Sequence, residues 1–168
     1  MNTNHLFLAL ATTGVIFGLA GVTRSLFGTP EAATASLAAP APDTGPERGR
    51  HLIRIGGCND CHTPGFMQDP NVPEDEWLIG SDLGWRGPWG TTYPSNLRRH
   101  LAAWDDAGAW IEMVRSRHGL PPMPWPSLHA MTDDELRAIH AYIRSLPLKG
   151  DAMPPPVPPD RTPTTPWL

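Results

Sequence analysis

The pentapeptide Cys58-Asn59-Asp60-Cys61-His62 decides how the rest of this sequence is interpreted. On a helix, residues three and four positions apart lie on one face, so Cys58, Cys61 and His62 converge. The histidine directly follows the second cysteine, and this order turns the imidazole toward the group that the two thiols hold. The spacing therefore predicts one site built from two sulfur atoms and one ring nitrogen.

The pattern Cys-x-x-Cys-His is the attachment signature of c-type haem. In this interpretation Cys58 and Cys61 form thioether bonds to the porphyrin, and His62 binds the iron. The second nitrogen of the His62 ring is expected to donate to a backbone carbonyl that fixes the ring, and we predict that carbonyl in the turn at Thr63-Pro64. The cofactor expected from this motif is one covalently bound haem c per chain.

Three other uses of the two cysteines stay open. A thioredoxin-like Cys-x-x-Cys motif follows a strand, whereas here a helical pattern precedes the motif. Structural zinc would need a further ligand among the histidines, because the chain has two cysteines in all. A disulfide between Cys58 and Cys61 is the third alternative, before haem is attached.

The overall composition excludes several classes of protein. The chain has 168 residues and a net charge of −4, so it lacks the positive charge with which nucleic-acid binders follow a phosphate backbone. Two cysteines cannot build a scaffold of several disulfides. With 16 glycines, 21 prolines and seven tryptophans, the chain is expected to be rich in loops whose large rings need something to pack against.

The two ends of the chain differ in composition from its middle. Leu6–Val22 carries no charge, which is typical of a secretory signal peptide or a membrane anchor. Export would place the remainder in a bacterial periplasm, either free after cleavage or tethered to the inner membrane through residues 6–27. We predict four segments: a signal peptide or anchor at 1–28, a flexible linker at 29–45, a folded domain at 46–150 and a Pro-rich surface tail at 151–168.

Two helices are predicted in the first part of the folded domain. Pro46 suits a first helical turn, and we expect this helix to continue to about residues 56–61, at the cysteine motif. The second helix begins after Asp105 or Asp106 and ends by Gly119.

A third helix has the clearest boundaries. Thr132 and Glu135 match a capping box, and Pro147 stops the helix. Its apolar side chains recur at spacings of three and four: Leu136, Ile139, Ile143 and Leu146. Residues 63–96 are expected to form one ordered loop, and no strand is predicted. The fold class is therefore all-α, with about three main helices wrapped around one covalently bound haem and joined by long ordered loops.

A sixth iron ligand must come from another part of the chain. Met123 lies in Leu120-Pro121-Pro122-Met123-Pro124-Trp125-Pro126, where the prolines restrict the backbone and would hold a weak thioether bond at little entropic cost. Met131 is an alternative thioether ligand, and His118 and His129 are alternative imidazole ligands. Met123 is the residue that we favour.

Residues 47–146 resemble a class I mono-haem cytochrome c domain, with a helix into CNDCHT, a long loop, PPMPW and a closing helix. The run MPW followed by MTDDELRAIHAYIRSLP is similar to the cytochrome domains that accompany bacterial alcohol, aldehyde and sugar-acid dehydrogenases. Many such domains have N-L-T and then T-G-I-G where this chain has Pro94–Arg99, and only Asn96-Leu97 is shared.

This resemblance implies a small cytochrome c-like fold and a role for several residues. Cys58 and Cys61 would be the thioether sites, His62 the proximal iron ligand and Met123 the distal one. Gly49 would let the first helix cross the last one closely near Tyr142.

The loop Gly84–Tyr93 contains side chains that could bind the two haem propionates. Arg86, Trp89 and Tyr93 are the candidates, because a guanidinium, an indole N–H and a phenol all donate hydrogen bonds. The basic run Arg98–His100 and the acidic run Glu74–Glu76 are expected to form solvated surface, with the steering of a redox partner as the alternative role for either run.

The predicted function is that of an exported electron carrier rather than an enzyme. His/Met ligation fills both axial positions of the iron, so no coordination site is left for a substrate. The expected partners are redox proteins: a dehydrogenase, an oxidase or another cytochrome. Two alternatives stay open, namely a haem enzyme with a labile sixth ligand that reacts with peroxide or a sulfur compound, and a non-haem Cys-x-x-Cys redox module.

Overall fold

The computed structural model describes residues 41–168. The predicted signal peptide or anchor at 1–28 and residues 29–40 of the predicted linker lie outside the described residues. Within 41–168, no helix is long and apolar enough to cross a bilayer. The elements, in chain order, are α1 (Pro46–Ile55), α2 (Cys58–His62), a 3-10 turn (Glu74–Glu76), β1 (Trp85–Gly87), β2 (Gly90–Thr92), α3 (Leu97–Ala102), α4 (Ala107–Ser116), α5 (Trp125–Ala130) and α6 (Asp133–Ser145).

The described residues are rich in helix, as the sequence predicts, but they also contain a sheet. Strands β1 and β2 pair antiparallel, with Trp85 opposite Thr92 and Gly87 opposite Gly90. Both strands fall inside the stretch that was expected to be loop without strands. Each is three residues long, which is too short for an alternating pattern to show in the sequence.

The crossing of α1 and α6 forms the centre of the core. A Cβ atom added at Gly49 would collide with the backbone carbonyl oxygen of Ala138 and lie 2.7 Å from the Cβ atom of Tyr142. The two helices therefore approach as closely as their backbones allow, as the resemblance implied. The buried apolar side chains around this crossing include Leu52, Ile53, Leu136, Ile139 and Ile143.

Helix α6 begins with the predicted capping box. The Thr132 hydroxyl accepts from the Glu135 amide, and the Glu135 carboxylate accepts from the Thr132 amide. Helix α4 is capped as expected by Asp106, whose side chain accepts from the Ala109 amide at 2.7 Å. The periodic helices were thus predicted well, whereas the six-residue helices α3 and α5 were missed.

The predicted first helix is interrupted before the cysteine motif. Helix α1 ends at Ile55, and Gly57 has a φ of 66°, a left-handed conformation that favours glycine. The chain then restarts as the separate one-turn helix α2. The break gives the cysteine motif an orientation that does not depend on the axis of α1.

Arg98 links the loop that follows the cysteine motif to the residues after α6 through hydrogen bonds. Its buried guanidinium donates to the carbonyls of Trp77, Glu74, Asp75 and Pro147, at 2.8 to 3.1 Å. This position corrects the expectation that the whole basic run is solvated, because Arg98 is an internal cross-link between the 3-10 turn and the end of α6.

Candidate functional site

A cavity of about 810 Å³ lies beside the cysteine motif. Cys58, Cys61 and His62 all line it. Five helices, α1, α3, α4, α5 and α6, contribute apolar side chains to its wall. These side chains are Ile53, Leu97, Leu101, Trp110, Met113, Val114, Leu128, Ile139 and Ile143. The structure therefore brings the predicted attachment site against a large, mostly apolar space.

His62 is held by hydrogen bonds on both its ring and its backbone. Its Nδ1 atom lies 2.7 Å from the Ser95 carbonyl oxygen, to which it donates, and the His62 carbonyl accepts from the Gly80 amide at 2.8 Å. The predicted acceptor in the Thr63-Pro64 turn is wrong: the carbonyl comes from a residue 33 positions away. This bond assigns the proton to Nδ1 and leaves Nε2 as a free electron-pair donor.

Burial keeps the His62 ring in its neutral form. It lowers the pKa of His62 below the ordinary value, the Ser95 bond opposes this, and the positive charge that His100 can carry adds to the lowering. A neutral imidazole is the form that binds a metal ion.

Cys58 and Cys61 are free thiols on the same short helix. Burial is the main cause that raises the pKa of Cys58 to about 11, and burial followed by the charge of Asp60 raises the pKa of Cys61. Raised thiol pKa values disfavour the thiolate on which a thioredoxin-like role depends. Across residues 41–168, no group of three His, Cys, Asp or Glu side chains is placed to hold a metal ion.

Three methionines line the cavity, and Met123 is one of them. Met113 and Met153 also line it, although no sequence pattern favoured either as a ligand. Met131 does not line the cavity, and its methyl group packs near Gly56. Met123 remains the predicted sixth ligand, and Met113 and Met153 are the other cavity-lining methionines with which it can be compared.

The two histidine alternatives are placed differently. His118 lines the cavity, whereas His129 does not. The Nε2 atom of His129 lies 2.9 Å from the carbonyl oxygen of Val114 and is engaged there. Of these two histidines, only His118 therefore remains a candidate on the cavity wall.

The predicted propionate donors are dispersed. Tyr93 lines the cavity, but its hydroxyl pairs with the Thr165 hydroxyl at 2.8 Å. Arg86 and Trp89 do not line the cavity, so the structure does not bring them to the site. The Arg86 guanidinium donates instead to the carbonyl of Arg161 at 2.8 Å. A local sequence pattern could not have revealed a contact that spans 75 residues.

Another set of donors lines the cavity, and sequence reasoning missed it as a set. Besides His62, the lining contains four basic side chains and no Asp or Glu: Arg99, His100, Arg117 and His118. Trp110 and Trp125 also line the cavity, and their buried indole nitrogens have no hydrogen-bond partner within residues 41–168. The sequence does contain a clue to this set. The dipeptide Arg-His occurs at 99–100 and again at 117–118, just before the Met123 loop.

Comparison with known proteins gives relatives of one kind. The chain is 30% identical over 115 residues to the fructose dehydrogenase cytochrome subunit of Gluconobacter japonicus, a match covering 62% of this chain and 23% of the relative. It is 30% identical over 115 residues to the gluconate 2-dehydrogenase cytochrome c subunit of Pantoea cypripedii, covering 61% and 26%. It is 27% identical over 113 residues to the cytochrome c subunit of the quinone alcohol dehydrogenase of Gluconacetobacter polyoxogenes, covering 57% and 20%.

This chain is similar to cytochrome subunits of dehydrogenases. The comparison confirms the resemblance that CNDCH and PPMPW indicated. Each match spans about a quarter or less of the relative's length. No family profile matches the chain, and no solved structure matches it.

Proposed function

We propose that this chain is a mono-haem c-type cytochrome that carries electrons between a dehydrogenase, or another donor, and a respiratory chain. The observation that carries the proposal is the His62 ring, buried at the wall of an 810 Å³ cavity with Nδ1 donating to Ser95 and Nε2 free. The names of the relatives support the same role.

The residues of the cavity fit haem c in three respects. Cys58 and Cys61 offer two thiols beside the His62 ring, which is the donor set that a covalent haem needs. The apolar walls suit a porphyrin, and the cationic lining without acidic side chains suits its two carboxylates.

The bound haem supplies a one-electron couple between ferric and ferrous iron. The chain's own residues set the conditions of that couple. Ser95 orients the His62 ring, Met123 would supply the second protein ligand to the iron, and the apolar wall would exclude water. The propionates are assigned to Arg99, His100, Arg117 and His118 rather than to Arg86 and Trp89.

Two further parts of the proposal concern location and partners. The uncharged run Leu6–Val22 supports export to the periplasm, where covalent haem attachment and transient docking would take place. The partner is proposed to be a dehydrogenase or another redox protein, in line with the names of the relatives. A contact that must release its partner after each electron is expected to be small.

The test is a spectroscopic and redox titration of haem-loaded protein with substitutions at single methionines. Met123→Ala should abolish the ferric absorption band that reports methionine–iron bonding, and should lower the midpoint potential. Met113→Ala and Met131→Ala are matched controls, one lining the cavity and one outside it, and both should keep the band.

Two results would count against this function. Loss of the band in Met113→Ala instead of Met123→Ala would move the sixth ligand to α4. A wild-type protein without the band that turns over peroxide would favour the haem enzyme instead.

A further inference from the structure

The last 18 residues include part of the cavity wall. Residues 152–156, Ala-Met-Pro-Pro-Pro, all line the cavity beside Tyr93, Pro94 and Ser95. The three prolines carry no backbone N–H, so this stretch can face an apolar ligand without leaving donors unpaired. Residues 151–168, which we call the strap, therefore do more than lie along the surface.

The start of the strap is tied to the residues that hold His62. The side-chain amide of Asn96, which directly follows Ser95, donates to the carbonyls of Lys149 and Asp151 at 2.8 and 3.1 Å. Met153 packs on Gly80, the residue whose amide binds the His62 carbonyl. The strap therefore contacts Gly80, which binds the His62 carbonyl, and Asn96, the neighbour of the residue that binds the His62 ring.

The rest of the strap pairs with the β-hairpin. Val157 and Thr91 exchange two backbone hydrogen bonds, at 2.7 and 2.9 Å. Gly84 donates to Pro166 at 2.8 Å and accepts from Leu168 at 2.9 Å. A side chain at Gly90 would collide with the Val157 carbonyl, which shows how closely the strap lies against the hairpin.

Arg86 binds the strap from its middle to its end. Its guanidinium donates to the carbonyls of Arg161 and Pro159, at 2.8 and 3.3 Å, and lies 5.5 Å from the centre of the Trp167 ring. The planar guanidinium of arginine can donate to two carbonyls and stack on an aromatic ring at the same time. Lysine can reproduce only part of this set of contacts. The Arg86 side chain thus contacts three separate residues of the strap.

We propose that the Arg86-bound strap is a wall of the haem cavity and that it raises the reduction potential by excluding water next to His62. Arg86 is a positioning residue in this proposal, since it acts on the cofactor through the strap. The proposal rests on the haem function proposed above. Its physical basis is that burial and solvent exposure help to set the potential of a protein-bound haem, and a wetter site favours the more highly charged ferric state.

The experiment compares haem-loaded wild type with Arg86→Gln, Arg86→Lys and a chain that ends at Gly150. Three quantities are measured: the mass of the protein, the midpoint potential, and amide hydrogen exchange at Val157 and Leu168. Arg161→Gln is the matched control. Arg161 contributes only its backbone carbonyl to the hydrogen bond with Arg86, so replacing the Arg161 side chain leaves that bond in place.

In Arg86→Gln, we expect exchange at Leu168 to rise by about tenfold, with the potential falling toward that of the chain ending at Gly150. For the shortened chain we expect the ratio of ferric to ferrous protein at a fixed potential to rise by about tenfold, which is about 59 mV for one electron. Arg86→Lys should recover part of both changes, and Arg161→Gln should resemble wild type.

Unchanged potentials in haem-loaded Arg86→Gln and in the shortened chain would overturn the proposal and leave the haem function standing. Faster exchange or lower thermal stability with the wild-type potential would also overturn it, because the strap would then be structural only. A wild-type chain that carries no haem, as its mass would show, would overturn both proposals together.

Discussion

Gly49→Ala tests the helix crossing on which the core depends. The added methyl group would overlap the Ala138 carbonyl oxygen and lie 2.7 Å from the Cβ atom of Tyr142, where ordinary contacts begin at 3.4 Å. The obstacle includes backbone, so no change of side-chain rotamer can relieve the overlap and the two helices must separate.

The size of the effect follows from two opposing contributions. Overpacking costs about 3 kcal/mol where the surroundings cannot move, at the upper end of the usual range. Replacing glycine by alanine inside a helix returns about 1 kcal/mol. The expected net loss in the free energy of unfolding is about 2 kcal/mol, which lowers Tm by about 10 °C in a domain of this size.

The assay is thermal and urea unfolding of haem-loaded protein, followed by circular dichroism. Gly108→Ala is the control: it lies in the first turn of α4, where an added methyl group would meet only the end of the Asp106 side chain, at 3.1 Å. We expect Gly108→Ala to change the free energy of unfolding by less than about 1 kcal/mol. A Gly49→Ala protein as stable as wild type would refute the close crossing.

Three further predictions concern stability. Thr132→Ala should cost about 1 kcal/mol of unfolding free energy in urea melts, because it removes the N-cap of α6, whereas the exposed Ser127→Ala should cost little. Hydrogen bonding from the Thr132 backbone lowers the pKa of Glu135, so its contribution is present at neutral pH and is lost as the pH falls; Glu135→Gln should flatten the stability profile below about pH 5. Arg98→Ala should cost about 3 kcal/mol or more in the same melts, since four carbonyls lose their donor; a cost below about 1 kcal/mol would mean that water replaces the guanidinium.

The sequence predicted those features that depend on residues only a few positions apart. The Thr132–Glu135 capping box, the Asp106 cap and the spacing of apolar residues in α6 each lie within a few positions, so periodicity and capping rules predict them. The cysteine motif is equally local, and the relatives are of the kind that it indicated.

Features that depend on distant residues were beyond those rules. The carbonyl that orients His62 comes from Ser95, and the Arg86 guanidinium is used by the strap rather than by the cavity. The same holds for the four basic residues that line the cavity besides His62. Arg99 and His100 lie in α3, and Arg117 and His118 directly follow α4. Only the folded chain shows that these pairs share one space.

The most direct test of the account is the mass of the Cys58–His62 peptide from protein produced with a cytochrome maturation system. The account predicts that this peptide carries one haem through both cysteines, and that Cys58→Ala with Cys61→Ala removes it. An unmodified peptide from stably folded, colourless protein would contradict the central claim.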